Sequence, residues 1–352
     1  MYPEEVAAAL EQLQAHYRDI EAHPEGSNGY VFFAVNRVTA VPVAIKFYFG
    51  APGERRHDEP NLLAQIQSPN VIPIHNAQNI SDEWAFFVTP RHVGGTLDAV
   101  IQSRPSAHRA IDIASGICNG ASAIHANGLI HRDLKPANIV SDGGIPLIAD
   151  FGSVRRLAEG EADLPASGHS ALYRPPESFE TGRYSLLGDI YQIGLVTYQL
   201  LGGNLPYDPM AYFNKKDFKE YVELSDDFQK SQFQDGVIHR RAASRELMDL
   251  RTLPPWVRGI AKNALRSMTH PNVSQRLKNA ADVAAVLTRV RADTLDWQWA
   301  DNVARLELAD RIIELRRTAN GLYEPLQAKE GLFRRIPSTP NAPLGALVAQ
   351  VV

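Results

Sequence analysis

The sequence has almost no cysteine: Cys118 is the only one in 352 residues. A lone thiol cannot close an internal disulfide, so a disulfide-stapled secreted scaffold is excluded and a reducing, cytoplasmic setting is expected. Charge of one sign is also lacking. Lys and Arg number 36 and Asp and Glu 40, a formal net charge of −4. That balance leaves no electrostatic footprint for nucleic acid. No long hydrophobic run is present. The longest apolar stretch, Ile190 to Leu201, is interrupted by Gln192, Gly194, Thr197 and Gln199. It is too short and too polar to span a bilayer, so no membrane partner is expected. The opening MYPEEVAAAL carries acids where a secretory signal would carry bases, so no signal peptide is expected. Repeats and low-complexity tracts are missing. What is present is ordinary for a folded chain: 44% hydrophobic and 22% charged residues, which argues against wholesale disorder. The length suits two domains or one large two-lobed domain.

Periodicity divides the chain. Val6, Leu10 and Leu13 recur at helical spacing, with Glu4 and Glu5 in the first turn. Residues 1–16 therefore read as a short helix packed on the adjoining domain, with an interaction helix as the alternative. YVFFAV and VPVAIKFYF are β-branched and aromatic runs separated by the turn-like NRVTA, the pattern of a small antiparallel sheet. From Ser106 onward helical patterns dominate. Ala107–Ala126 and Leu187–Leu201 read as buried helices, with short strands near Ile139–Val140 and Pro146–Ala149. Segment 208–250 is charged and mixed, a solvated insertion with one or two helices. Leu295, Val303, Leu306, Ile312, Ile313 and Leu315 suggest a further helix over 293–318. Trp297 and Trp299 are expected to anchor it on the larger part, a partner groove being the alternative. The tail after Asn320 is Pro- and Ala-rich and ends apolar.

The chemistry concentrates in His131-Arg132-Asp133-Leu134-Lys135-Pro136-Ala137-Asn138, with Asp150-Phe151-Gly152 beginning 17 residues past Asp133. Two acids and an amide separated by a short hairpin can meet at one point. Asp150 and Asn138 are hard oxygen ligands of the kind Mg²⁺ takes. Asp133 is placed to accept a proton from an attacking hydroxyl, and Lys135 adds a cation near the transferred group. An isolated Asp–Asn pair is usually turn chemistry; the full string followed by DFG reverses that reading.

Together these motifs resemble the eukaryotic-type (Hanks-type) serine/threonine protein kinases that bacteria also carry. The resemblance covers roughly residues 17–290. It implies an α+β, bilobal protein-kinase-like fold: an antiparallel small lobe over 17–93, a mostly helical large lobe over 94–292, and a helical extension and tail over 293–352. It implies transfer of the γ-phosphoryl group of ATP to Ser or Thr hydroxyls of protein substrates, with Mg²⁺, or Mn²⁺ in its place. Lys46, in Val43-Ala44-Ile45-Lys46, resembles the lysine that holds the α- and β-phosphates and pairs with a glutamate of the small-lobe helix. Glu59 is the expected partner, with Glu54 as the fallback. Pro60 directly follows Glu59 and is tolerated only in a first turn, so that helix must start late and be short. Gly26, Ser27, Asn28, Gly29 and Val31 resemble the glycine-rich loop, with Pro24 in place of its first glycine. Thr89, Pro90 and His92 resemble the adenine hinge, Thr89 as gatekeeper and the His92 N–H as donor.

The same resemblance reaches further along the chain. His169-Ser170 through Pro175-Pro176-Glu177 resembles the end of an activation segment, and Glu177 is expected to pair with Arg276. Asp189 resembles the aspartate that anchors the catalytic loop. Ser167 is the better autophosphorylation candidate; the alternative is that Glu159, Glu161 and Asp163 keep the segment acidic. Two other readings stand beside the kinase: a pseudokinase or nucleotide-binding scaffold, supported by Pro24 and Pro60 alone, and a small-molecule phosphotransferase, against which Lys135-Pro136 and Glu177 argue.

Overall fold

The computed structural model describes residues 2–23, 29–49, 58–92, 94–158, 160–166, 171–329 and 331–351. Helix α1 (Glu4–Leu13) comes first. Glu4 and Glu5 sit in its first turn, where the helix dipole favours negative charge. Val6, Ala9 and Leu13 fall on one face and are buried. A five-stranded antiparallel sheet comes next, with order β1-β2-β3-β5-β4. Its strands are β1 (Tyr17–His23), β2 (Gly29–Asn36), β3 (Pro42–Phe49), β4 (Asn76–Asn79) and β5 (Trp84–Pro90), and α2 (Asp58–Ala64) lies between β3 and β4. Side chains alternate across a strand. Val43, Ile45 and Phe47 of β3 therefore share a cluster with α1, together with Phe86 and Val88 of β5. Ala44, Lys46 and Tyr48 turn to the opposite face. Gly29 pairs with Tyr48. A Cβ there would lie 1.9 Å from the Phe47 carbonyl oxygen, so only glycine lets β2 close on β3 at this point. Pro60 occupies the first turn of α2, where its missing N–H has no cost.

The larger part contains α3 (Leu97–Gln102), α4 (Ala107–Ala126), β6 (Leu129–Ile130), β7 (Ile139–Asp142), β8 (Ile145–Ile148), β9 (Arg155–Arg156), β10 (Leu164–Pro165), α5 (Pro176–Thr181), β11 (Arg183–Tyr184), α6 (Leu186–Leu200), α7 (Lys215–Glu223), α8 (Asp227–Ala243), α9 (Gly259–Met268) and α10 (Ala280–Asp293). From Gly188 to Leu200 every residue of α6 is buried, as expected of a helix that is apolar nearly all round. Ser106 caps α4 by accepting from the Arg109 N–H. Gly120 of α4 admits the neighbouring chain: a Cβ there would lie 2.5 Å from the Asn70 carbonyl oxygen. Segment 208–250 contains α7 and α8, matching the expectation of one or two helices. The architecture is the α+β, two-lobed arrangement expected from the motifs. No described helix is long and apolar enough to cross a membrane.

The helical extension expected over 293–318 is overturned. Residues 297–335 form a five-stranded antiparallel meander of β12 (Trp297–Ala300), β13 (Val303–Glu307), β14 (Ile312–Arg317), β15 (Tyr323–Lys329) and β16 (Leu332–Arg335). A short helix, α11 (Leu344–Gln350), closes the described chain. The apolar residues obey a period of two rather than 3.6. Trp297, Trp299, Ala304, Leu306, Ile313 and Leu315 occupy one face, and paired positions stand opposite each other. That face joins the core of the larger part. Gln298, Arg305, Glu307, Glu314 and Arg316 take the other. Turn chemistry interrupts any helix. Asp301 and Asn302 have φ of 47° and 63°, the left-handed pair of a tight hairpin. Gly321 and Gly331 have φ of 82° and 93°. The tryptophans are packing anchors: Trp297 stacks on Trp256 with centroids 5.6 Å apart, and Trp299 lies 6.0 Å from it.

Candidate active site

The loop 131–138 runs between β6 and β7, and its backbone is held from below by α6. The Asp189 carboxylate accepts the His131 N–H at 2.9 Å and the Arg132 N–H at 2.8 Å. It also meets His125 Nε2 at 2.8 Å and the Tyr184 hydroxyl at 3.2 Å. One turn further along α6, Gln192 Oε1 accepts the Leu134 N–H at 2.7 Å, and Nε2 donates to the Arg132 and Tyr173 carbonyls at 3.3 Å. Arg132 has φ of 70°. A non-glycine residue in that region costs on the order of 1–3 kcal/mol and persists only where its surroundings enforce it. Asp189 and Gln192 supply that enforcement. Burial pushes the Asp189 carboxyl up, but the hydrogen bond and charge of His125, with His131 beside it, hold it below the usual carboxylate range.

On this frame the motif side chains converge. Asp133 Oδ2 accepts from Lys135 Nζ at 2.9 Å and from Asn138 Nδ2 at 2.9 Å. Asn138 Nδ2 also donates to the Asp133 carbonyl at 2.8 Å. Among the described residues, Asp133 Oδ1 and Asn138 Oδ1 have no protein donor. His131 Nδ1 accepts the Asp133 N–H at 3.3 Å, which leaves Nε2–H to the Ala149 carbonyl at 3.2 Å. The Ala149 N–H bonds the Asn138 carbonyl at 2.9 Å, bringing Asp150 beside Asn138. Phe151 is wholly buried, edge-on to His131 with centroids 5.5 Å apart.

Asp150 stands at φ 56° and accepts the Gly152 N–H at 3.4 Å. Its Oδ1 lies 3.1 Å from Lys46 Nζ, joining the small sheet to the larger lobe. Burial pushes this carboxyl up; the Lys46 ammonium, with His131 and the Gly152 N–H, outweighs that and holds the group below its ordinary value. Directly opposed residues of an antiparallel pair share a face. Val31 opposes Lys46, and Ala44 opposes Thr89. Val31, Ala44, Lys46 and the buried Thr89 therefore line one side of the sheet, away from α1. Pro90 ends β5 opposite Val43. The His92 ring lies beyond it, with Nδ1 3.5 Å from Asp142 Oδ2.

Several expected residues lie outside the described ones: Pro24, Gly26, Ser27 and Asn28, Glu54, Glu159, and Ser167, His169 and Ser170 of the activation segment. Glu59 falls in the first turn of α2, but its side chain is also outside. Glu177 and Arg276 form two bonds of 2.7 and 2.6 Å, and Arg276 also donates to the Leu187 and His270 carbonyls. Asp163 pairs with Arg183 at 2.6 Å. Arg132 donates to the Ser153 and Pro165 carbonyls at 2.6 and 2.7 Å, tying the activation segment to the loop.

Sequence reasoning missed three framing residues: His125, Tyr184 and Gln192. Only Gln192 left a trace, as a polar interruption in an otherwise apolar run. An amide inside a fully buried helix needs partners, and here those partners are the 131–134 loop and the Tyr173 carbonyl.

A protein kinase domain model matches residues 17–284 of the chain. A probable serine/threonine-protein kinase of Bifidobacterium longum is 27% identical over 217 residues, covering 56% of this chain and 28% of that protein. The serine/threonine-protein kinase PknL of Mycobacterium tuberculosis is 32% identical over 155 residues, 42% of this chain and 38% of its own length. The probable serine/threonine-protein kinase PknB of Lactococcus lactis is 31% identical over 150 residues, 42% of this chain and 24% of its own length. The match thus spans well under half of each of these relatives.

Proposed function

This chain belongs to the protein kinase domain family, and on that premise we propose that it is a serine/threonine protein kinase that transfers the γ-phosphoryl group of ATP to a Ser or Thr hydroxyl of a protein. The observation that carries the reading is convergence. Lys46 of the small sheet reaches Asp150 at 3.1 Å, while Asp133, Lys135 and Asn138 cluster on the loop beside it. In the reaction a substrate hydroxyl oxygen bonds the γ-phosphorus, the bond from that phosphorus to the β-phosphate oxygen breaks, and the hydroxyl proton leaves. Asp133 Oδ1 is the acceptor for that proton. Its Oδ2 is already engaged by Lys135 and Asn138, which orients the free oxygen. On this reading Lys135 offsets charge on the transferred group and Lys46 holds the α- and β-phosphates. Catalysis of this kind is mostly positioning and electrostatics.

The donor set suits Mg²⁺. Asn138 Oδ1 and the Asp150 carboxylate are hard oxygens on neighbouring segments, joined by the Ala149 N–H to Asn138 carbonyl bond, and the lowered carboxyl pKa keeps Asp150 ionised. When bound, the ion neutralises developing phosphate charge. The nucleotide is assigned to Gly26, Ser27, Asn28, Gly29, Val31, Ala44, Thr89, Pro90 and His92, with Glu59 as the partner of Lys46. The free, buried Cys118 supports a reducing, cytoplasmic setting, and a signalling role accompanies the activity.

The deciding assay uses purified protein, labelled ATP and Mg²⁺, with a generic basic protein as acceptor. Label should enter the protein or the acceptor, and Asp133→Ala should abolish it. Equal labelling by both proteins would sink the assignment of the base. ATP-dependent stabilisation with no transfer would favour a nucleotide-binding scaffold.

A further inference from the structure

Where the larger lobe meets the C-terminal meander, the structure contains a cavity of about 340 Å³. It is open to solvent on its Arg104 side, and small-molecule sites run from roughly 300 to 1,000 Å³. The walls are mainly apolar: Ile101, Leu200, Leu253, Leu344 and the rings of Trp256 and Trp299. Water gains little there, because it needs two to four polar partners. The one hydroxyl in the wall, that of Thr252, is already committed to Tyr198, Asn204 and Asp249.

One charged side chain, Arg104, stands in the lining among the described residues. Its backbone is left-handed, with φ of 52°, an uncommon state for a non-glycine residue. Pro105 succeeds it and disfavours the helical alternative. Among the described residues its guanidinium has neither a hydrogen bond nor an ion pair. Arg305, which lines the adjoining cleft, has both, on Glu307. A second, more polar cleft of about 560 Å³ shares Arg104 and Pro105, so the cation stands between a greasy chamber and a wet one.

We infer that this seam is a binding site for a small aromatic carboxylate, its ring against Trp256 and Trp299 and its carboxylate on Arg104. Aromatic groups gain from offset or edge contact with such rings, and a carboxylate matches the planar guanidinium fork. Two walls, Trp299 and Leu344, lie beyond residues 17–284, so the extension completes a site built mainly from the kinase domain. Its position also suits an effector. Thr96, just before α3, bridges to Val140 of β7, next to the loop bearing Asn138, and the far end of α3 supplies Ile101. Helix α6 frames the loop at one end through Asp189 and Gln192, and its other end supplies Leu200. An occupant touches the remote end of α6, which frames the loop, and of α3, which starts beside β7. This effector role rests on the kinase reading; the binding does not.

The test is calorimetric titration of the full chain with 1-naphthoate, and with uncharged 1-naphthalenemethanol for comparison. Naphthoate should bind saturably at one equivalent. Arg104→Ala should weaken it about tenfold or more, as loss of a charge-assisted contact does, while leaving the alcohol unchanged. Leu344→Trp, which fills the chamber, should abolish both; Ile101→Trp fills it from another wall if the first variant does not fold. Asp133→Ala should bind naphthoate as the parent does, which separates this result from any failure of the transfer assay. In the parent, saturating naphthoate should change the transfer rate, and Arg104→Ala should blunt that change. No saturable binding, or naphthoate affinity unmoved in both Arg104→Ala and the filled variants, overturns the site. Binding without any change in transfer rate overturns the effector role.

Discussion

The backbone of the catalytic loop and the side chains facing the cleft are held in opposite ways. The loop at 131–134 is buried, left-handed at Arg132, and fastened by four hydrogen bonds with Asp189 and Gln192. Across the cleft, Lys46 and Asp150 share one contact of 3.1 Å and stay 21% and 32% exposed. The first arrangement is over-determined: no single contact sets the strained turn. The second is a single, partly solvated contact, and an incoming phosphate can compete for it. Rigidity is concentrated under the residues that must not move, while the groups that must exchange partners stay partly solvated.

Breaking the frame should give the largest effect. Asp189→Ala orphans two buried backbone N–H groups at about 1–3 kcal/mol each, so urea unfolding should show a loss of about 2–6 kcal/mol together with loss of transfer. A loss below about 1 kcal/mol would erase the contrast between loop and cleft. Lys46→Met should do the reverse. Transfer should fall on the order of 10²–10³-fold, the scale of losing one electrostatic clamp. The melting temperature should move by no more than about 2–4 °C, because a partly exposed pair contributes about 1 kcal/mol or less.

Acid sharpens the comparison at a smaller scale. Asp150 and Asp189 both have carboxyl pKa values below their ordinary range. The folded state therefore holds the ionised form. Its contribution is complete above the unfolded value of about 3.9 and is lost as pH falls through the folded values. Denaturant midpoints should be flat near neutrality and drop below about pH 4. Asp189→Asn should remove more of that drop than Asp150→Asn, since Asp189 has no solvent to share its proton with. Smallest in energy is the thiol. Burial pushes Cys118 up to about 12, so a thiol reagent at neutral pH should label it only on unfolding. Labelling of the native protein would mean that the α4 core opens.

Much of the site is legible in the sequence because its chemistry is local. Asp133, Lys135, Asn138 and Asp150 lie within a span short enough for one hairpin to bring together, and Lys46 sits on a strand whose alternation fixes its side. The helix at Ala107–Ala126 is equally plain. What the sequence hides is long-range. Gln192 meets Leu134 across 58 residues, and nothing near either one announces the other. The meander at 297–335 passes for a helix because Leu295, Val303, Leu306 and Ile313 are separated by eight, three and seven, which one face of a helix also satisfies. Asp301-Asn302 is the turn signal that discriminates between them. A strand's face is decided by its neighbours, and those pairings arise only after folding.

Helix α1 has a practical meaning for anyone trimming this protein. The family match begins at Tyr17, yet Val6, Ala9 and Leu13 roof the apolar side of the small sheet. A version cut at the alignment boundary would leave Ile45, Phe47 and Val88 facing water, an adhesive patch that invites self-association. Homology marks where relatives begin to look alike. The hydrophobic roof marks where this chain's small lobe is complete, and it lies upstream.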